Sequence, residues 1–310
     1  MAAADEAAVS PVLAAWCMRW LGARPERIRW KSGHLSRVVG LRLDDGRNVV
    51  LKIRPASARV RACTAVQADL AANGFPCPRP LTAPAPLGGA LATAEEQAAD
   101  GAQLESAPGS AALFAGLLAD LIRLAPGPAE RFMLRPSPPW VGWDHPEAAI
   151  WPVPDHLGRN LNAAAGPHWL DQAAGRARAC LRQLRAPLVI GHADWESQNI
   201  RWAGRRPLAV HDWDSVAAQP EAAIAGAASA VWPAAGAPGQ AATVEQSEAF
   251  LAAYESVRRR PWAADERRAC WAAGIWIRSY NAKHDAAKGG GPQLDLLSDE
   301  IGIRLRQAGL

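Results

Sequence analysis

Hydrophobic and polar positions along this chain change their period twice. Residues 10–22 (SPVLAAWCMRWLG) open on Ser-Pro, carry apolar side chains at helical spacing and close on glycine, which predicts a helix. The spacing then becomes that of strands. Residues 27–31 alternate, 32–36 (SGHLS) form a small polar turn, and 37–43 (RVVGLRL) and 48–53 (NVVLKI) flank Asp44-Asp45-Gly46, a strong hairpin signal. A helix over 58–72 stops at Asn73-Gly74, Pro76, Pro78 and Pro80 mark its exit, and 89–97 reads as a further strand. Beyond Asp100-Gly101 helical spacing takes over, at 110–124 and 168–184, around a segment, 126–167, rich in proline and tryptophan that reads as an irregular surface insertion. An apolar strand at 187–190 leads into a polar loop, 192–199, and two short strands around Gly204-Arg205-Arg206. Helices are expected near 216–232, 244–259, 264–285 and 293–308, the alanine run at 222–230 reading as close-packed helix. A block of antiparallel strands followed by a block of helices is an α+β arrangement.

Composition narrows the class. The 310 residues are 49% hydrophobic and 21% charged, which excludes disordered and fibrous chains, and no run approaches the ~20 apolar residues of a membrane span. The first residues are acidic, unlike a secretory signal. Five scattered cysteines without a CxxC pair point to free thiols in a reducing, cytoplasmic setting, not to zinc or disulfides. A net charge of +4 over this length is too weak to imply a nucleic-acid partner. Of 34 basic residues only Lys31, Lys52, Lys283 and Lys288 are lysine, so each marks a candidate place where a compact ammonium is needed and a guanidinium does not serve.

The densest chemistry lies in GHADWESQNI (191–200), followed by HDWDS (211–215). The first has the form HxDxxxxN, and a second acid follows an apolar strand. Phosphoryl transfer asks for an oriented acceptor hydroxyl and a neutralised triphosphate. Asp194 can accept the hydroxyl proton, and Asn199 and Asp212 can supply oxygens to Mg²⁺. These two motifs resemble the catalytic loop and metal motif of the aminoglycoside phosphotransferase and choline kinase superfamily, small-molecule kinases with a protein-kinase-like fold. The resemblance implies Asp194 as catalytic base, Asn199 and Asp212 as metal ligands, and His192 as structural support of the loop. Glu196 and Asp214 stand as residues for the substrate side, and Trp140, Trp143 and Trp151 as side chains for an acceptor pocket.

The N-terminal third carries the same resemblance. SGHLSRVVGLRLDDGRNVVLKI (32–53) reproduces the family's strand-loop-strand, so Ser32, Gly33, His34 and Ser36, with Leu35, would face the nucleotide phosphates and Lys52 would contact them from the third strand. ANGFPCPRPL matches the helix-to-strand junction, and the backbone around Gln97 and Ala99 would face adenine. The implied architecture is bilobal: an antiparallel β-sheet N-lobe over 1–98 that binds nucleotide, and a mainly helical C-lobe over 99–310 with the catalytic loop, metal site and acceptor pocket. The implied reaction is transfer of the γ-phosphate of ATP, or GTP, with Mg²⁺, to a hydroxyl of a small polar molecule. An aminoglycoside or other antibiotic is one acceptor class, and a sugar or amino alcohol is another. One position departs from the pattern. Kinases of this fold pair the third-strand lysine with a glutamate on the next helix, and here that position falls on Cys63, with no glutamate between Lys52 and Gly74. What positions Lys52 is therefore open at the level of sequence, and a non-catalytic binding module is the rival reading.

Overall fold

The computed structural model describes residues 9–33, 36–127, 134–153 and 159–310. By contact the chain forms two compact units, residues 1–100 together with 208–214, and residues 101–207 together with 215–310.

The first unit is built on a five-stranded sheet. Helix α1 (Pro11–Leu21) starts where the Ser10 hydroxyl accepts the Leu13 N–H at 3.3 Å, and ends at Gly22, whose φ of 71° is the left-handed cap that glycine adopts without strain. Strands β1 (Pro25–Ser32), β2 (Arg37–Leu43), β3 (Asn48–Arg54), β4 (Ala85–Leu87) and β5 (Ala90–Glu96) pair antiparallel in the order β1-β2-β3-β5-β4. Alternation sorts β3 into two faces. Val49 and Leu51 join Leu41, Leu43, Ala92 and Ala94 in a core closed by Leu13, Trp16 and Cys17 of α1. Val50, Lys52 and Arg54 point the other way. The three-residue β4, between Pro84 and Gly88, is too short to show a period and has no counterpart in the sequence reading. Helix α2 (Ala58–Ala72) is capped by the Ser57 hydroxyl.

In the second unit, α3 (Ser110–Leu124), α4 (His168–Gln183), α5 (Glu221–Val231), α6 (Val244–Arg258), α7 (Ala264–Ala286) and α8 (Pro292–Gln307) make the bulk. Strand β6 (Leu188–His192) pairs antiparallel with β9 (Val216–Pro220), from Leu188 opposite Pro220 to His192 opposite Val216. Between them run β7 (Ile200–Ala203) and β8 (Arg206–Val210), the latter carrying the chain out of this unit at Leu208. The helix expected from 216 thus begins only at Glu221. Val216–Pro220 has good helix formers, but all five residues are buried and pairing with β6 overrides propensity. The alanine run does form a close-packed helix: a Cβ at Gly226 would lie 2.0 Å from the Cys270 carbonyl oxygen on α7.

The Pro/Trp-rich segment is also not a surface appendage where it is described. Leu134, Val141, Trp143, Trp151 and Leu161 are buried. Arg178 of α4 organises it by donating to the carbonyls of Trp143, Ala149, His145 and Glu147 at 2.6–3.0 Å. Among the described residues no helix is long and apolar enough to cross a membrane, and all five cysteines are free.

Candidate active site

In the second unit β6 delivers His192 into the core and the chain then turns through a loop tied down on several sides. Ala193 N–H donates to Ser215 O at 2.8 Å, and the Ala193 carbonyl accepts the Trp140 indole N–H at 3.0 Å. The buried His192 ring accepts the Asp194 N–H through Nδ1 at 3.3 Å and meets Trp195 edge-on at 5.8 Å. Trp195, itself buried, donates to Phe114 O on α3 at 3.1 Å. The alternation of buried Ala193, Trp195 and Ser197 with half-exposed Asp194, Glu196 and Gln198 presents the polar side chains on one side of the loop. Asn199, five residues after Asp194, turns back and donates through Nδ2 to the Asp194 carbonyl at 3.0 Å and to its carboxylate Oδ2 at 2.7 Å. The carboxylate of Glu196 accepts from the Gln198 side chain.

The first unit holds the other candidate group. Lys52 Nζ is 3.1 Å from Glu95 Oε1, and Gln67 Nε2 of α2 donates to Glu95 Oε2 at 2.9 Å and to Pro78 O at 2.7 Å. Burial pulls the Lys52 pKa down, but the negative charges of Glu95, Asp214 and Asp212 outweigh it and leave the ammonium above its ordinary value, hence charged at neutral pH. Asp212 sits at φ 61°, a left-handed backbone that among described non-glycine residues only Arg259 shares. Its segment is anchored by Val210 N–H on Pro76 O at 2.8 Å and by Trp213 packed edge-on against Phe75. Asp214 engages Arg54 through its carboxylate, and Arg59 donates to its carbonyl at 2.9 Å. Gly33, at the end of β1, has φ 144°, and a Cβ there would lie 1.9 Å from Ser36 O, so the turn tolerates no side chain.

The model of the phosphotransferase enzyme family, APH, matches residues 27–262. The chain belongs to this family. No curated protein matches the sequence of this phosphotransferase. Solved structures share its fold. An amicoumacin kinase in complex with AMP-PNP, Ca²⁺ and Ami superposes with a TM-score of 0.61 at 14% identity, covering 92% of this chain and 88% of that one. A macrolide 2'-phosphotransferase of type I gives 0.57 at 16% identity, with 94% and 98% covered. A choline/ethanolamine kinase family protein from Mesorhizobium loti gives 0.53 at 17% identity, with 97% and 95% covered. The kinase-like α+β fold follows from these structures, and the family match makes the chain a phosphotransferase.

The residues predicted from sequence fall on both units of this phosphotransferase. His192 ends β6, Asp194, Glu196 and Asn199 lie on the loop after it, and Lys52, Asp212 and Asp214 lie in the first unit. Ser32 ends β1 and Ser36 precedes β2, while His34 and Leu35 lie outside the described residues. Gln97 follows β5, its N–H on Asn48 O at 3.3 Å and its side chain accepting from Arg29, and Ala99 is exposed beyond it. Asp214 lies in the single 3₁₀ turn Trp213–Ser215 that leads into β9. Of the three insertion tryptophans, Trp143 and Trp151 are core residues and Trp140 reaches the loop after β6. Glu95, Gln67, Arg54 and Arg59 were missed. The adjacent acids in an otherwise alanine-rich strand, ATAEE, were the available signal.

Proposed function

We propose that this phosphotransferase transfers the γ-phosphoryl group of ATP, or alternatively GTP, to a hydroxyl of a small polar antibiotic. The carrying observation is the double contact of Asn199 Nδ2 with Asp194, which orients a carboxylate for one task. An ionised carboxylate accepts several hydrogen bonds, so Asp194 can hold the acceptor hydroxyl while Asn199 fixes its rotamer. As the phosphoryl group moves, the hydroxyl proton passes to Asp194. Lys52 meets the phosphates with a charge its acidic neighbours keep in place at pH 7. The donor chemistry also fits a hard divalent cation. With its NH₂ on Asp194, Asn199 turns its carbonyl oxygen elsewhere, and Asp212 is a carboxylate held in a left-handed backbone conformation that costs ~1–3 kcal/mol and is the kind of strain that collects at functional sites. Asn199 and Asp212 would hold Mg²⁺, which supplies neutralisation of the phosphate charge.

The antibiotic class is supported by the amicoumacin and macrolide enzymes of the same fold. A metabolic amino alcohol is the second reading, supported by the choline/ethanolamine kinase family neighbour. The non-catalytic reading loses its motive, since Glu95 gives Lys52 the carboxylate that the helix lacks. ADP release with Mg·ATP across a panel of peptide, macrolide and aminocyclitol antibiotics, sugars and amino alcohols tests the reading. One class should stimulate turnover, and Asp194→Ala should lower kcat by about 10³-fold with little change in nucleotide KM. Turnover surviving Asp194→Ala would refute the assignment of the base, and no stimulation by any class would refute the kinase reading.

A further inference from the structure

The partner of Lys52 comes from an unexpected element. In the β3–β5 ladder Lys52 lies opposite Thr93 and Val50 opposite Glu95, so Lys52 and Glu95 are diagonal neighbours on one face of the sheet. The face opposite carries the α1 core, and this one carries a small polar cluster: Lys52 and Arg54 from β3, Thr93 and Glu95 from β5, with the Arg54 guanidinium on the Thr93 hydroxyl. Both oxygens of the Glu95 carboxylate are used, Oε1 by Lys52 and Oε2 by Gln67. Glu95 and Gln67 are each 5% exposed, and the second Gln67 N–H is spent on Pro78 O, so the carboxylate has one orientation available. Cys63, at the helix position where an acid was expected, is buried, and burial pushes its thiol up to about 11, leaving it neutral.

We propose that Glu95 is the residue that positions the nucleotide lysine, and that the pair is therefore a property of the sheet, assembled by strand register, with helix α2 supplying only the Gln67 amide that holds the carboxylate. This rests on the kinase reading above. Two consequences separate it from simple core packing. Glu95 acts through Lys52, so their effects on nucleotide binding do not add. Glu95 also acts only on the phosphates, so a ligand without phosphate does not sense it.

The test measures binding of Mg·AMP-PNP and of adenosine by calorimetry to the full chain and to Glu95→Gln, Glu95→Asp, Gln67→Leu, Lys52→Ala and the Lys52→Ala/Glu95→Gln pair. Glu95→Gln should weaken AMP-PNP by about tenfold, Glu95→Asp and Gln67→Leu by about threefold, and none should change adenosine. The double variant should bind AMP-PNP as Lys52→Ala does. Additive losses, equal losses for AMP-PNP and adenosine, or a Gln67→Leu loss as large as that of Glu95→Gln would overturn the proposal. If circular dichroism shows Glu95→Gln unfolded, Glu95→Asp decides: a loss confined to AMP-PNP supports the role, and an unchanged affinity or a loss shared with adenosine removes it. A parent chain that binds no AMP-PNP would instead remove the kinase reading itself.

Discussion

At the scale of single residues, the scarcity of lysine has a structural counterpart. Two of the four are paired, the half-buried Lys52 with Glu95 and the buried Lys283 with Asp171 at 2.9 Å, while Lys31 and Lys288 are exposed. Gly166 lies against Lys283: a Cβ there would be 3.4 Å from the ammonium. Asp144 illustrates the opposite economy. Burial raises its carboxyl pKa, and Arg135 and Ser137 offset this only in part. A folded-state value above the unfolded one means that ionisation opposes folding. Asp144→Asn should therefore raise the urea midpoint at pH 7, and its advantage should vanish as the pH falls through the unfolded carboxylate range near ~4. An unchanged midpoint at pH 7 would show that Arg135 compensates fully. Spacing along the chain singled out Asp194 and Asn199 as parts of one loop site, and the contact between them is what the structure adds. Glu95 was illegible because its distance from Lys52 depends on the register of two strands separated by 35 residues of helix and junction, and no local signal sets that register.

At the scale of elements, caps and period were sufficient wherever a segment buries one face. The starts of α2 and α3 and the span of β2 agree with the reading from sequence. They failed where both faces are covered. Val216–Pro220 is buried on every side, so its alanines say nothing about period, and only β6 makes it a strand. The crossing of α5 and α7 shows how little slack such packing leaves. Gly226 and Gly274 let the two backbones approach, and the Cys270 carbonyl occupies the place of a side chain at 226. Gly226→Ala, despite its better helix propensity, should destabilise the protein by about 3 kcal/mol in urea unfolding, whereas Gly175→Ala on α4, where a Cβ meets nothing, should be neutral or mildly stabilising. Equal effects would mean that the crossing relaxes freely.

At the scale of the whole molecule, the unit that carries Lys52 is discontinuous. Its sheet ends by residue 96, yet residues 208–214 belong to it, bringing Val210 to Pro76, Trp213 to Phe75 and Asp214 to Arg54 and Arg59. A linear reading divides the chain once and does not reveal such a return. A fragment of residues 1–100 should lack a cooperative urea transition, because it loses the Trp213–Phe75 packing, the Val210–Pro76 hydrogen bond and the carboxylate that pairs with Arg54. Joining 208–214 to that fragment through a flexible linker should restore the transition. A cooperative 1–100 fragment would show the segment to be dispensable. The same return has a meaning in time. On a ribosome adding ~5–20 residues per second, the first unit waits on the order of ten seconds between synthesis of its last strand and arrival of Asp214. During that interval the nascent first unit lacks the segment that matches Arg54 and packs on Phe75, a window in which association with other chains competes with its folding.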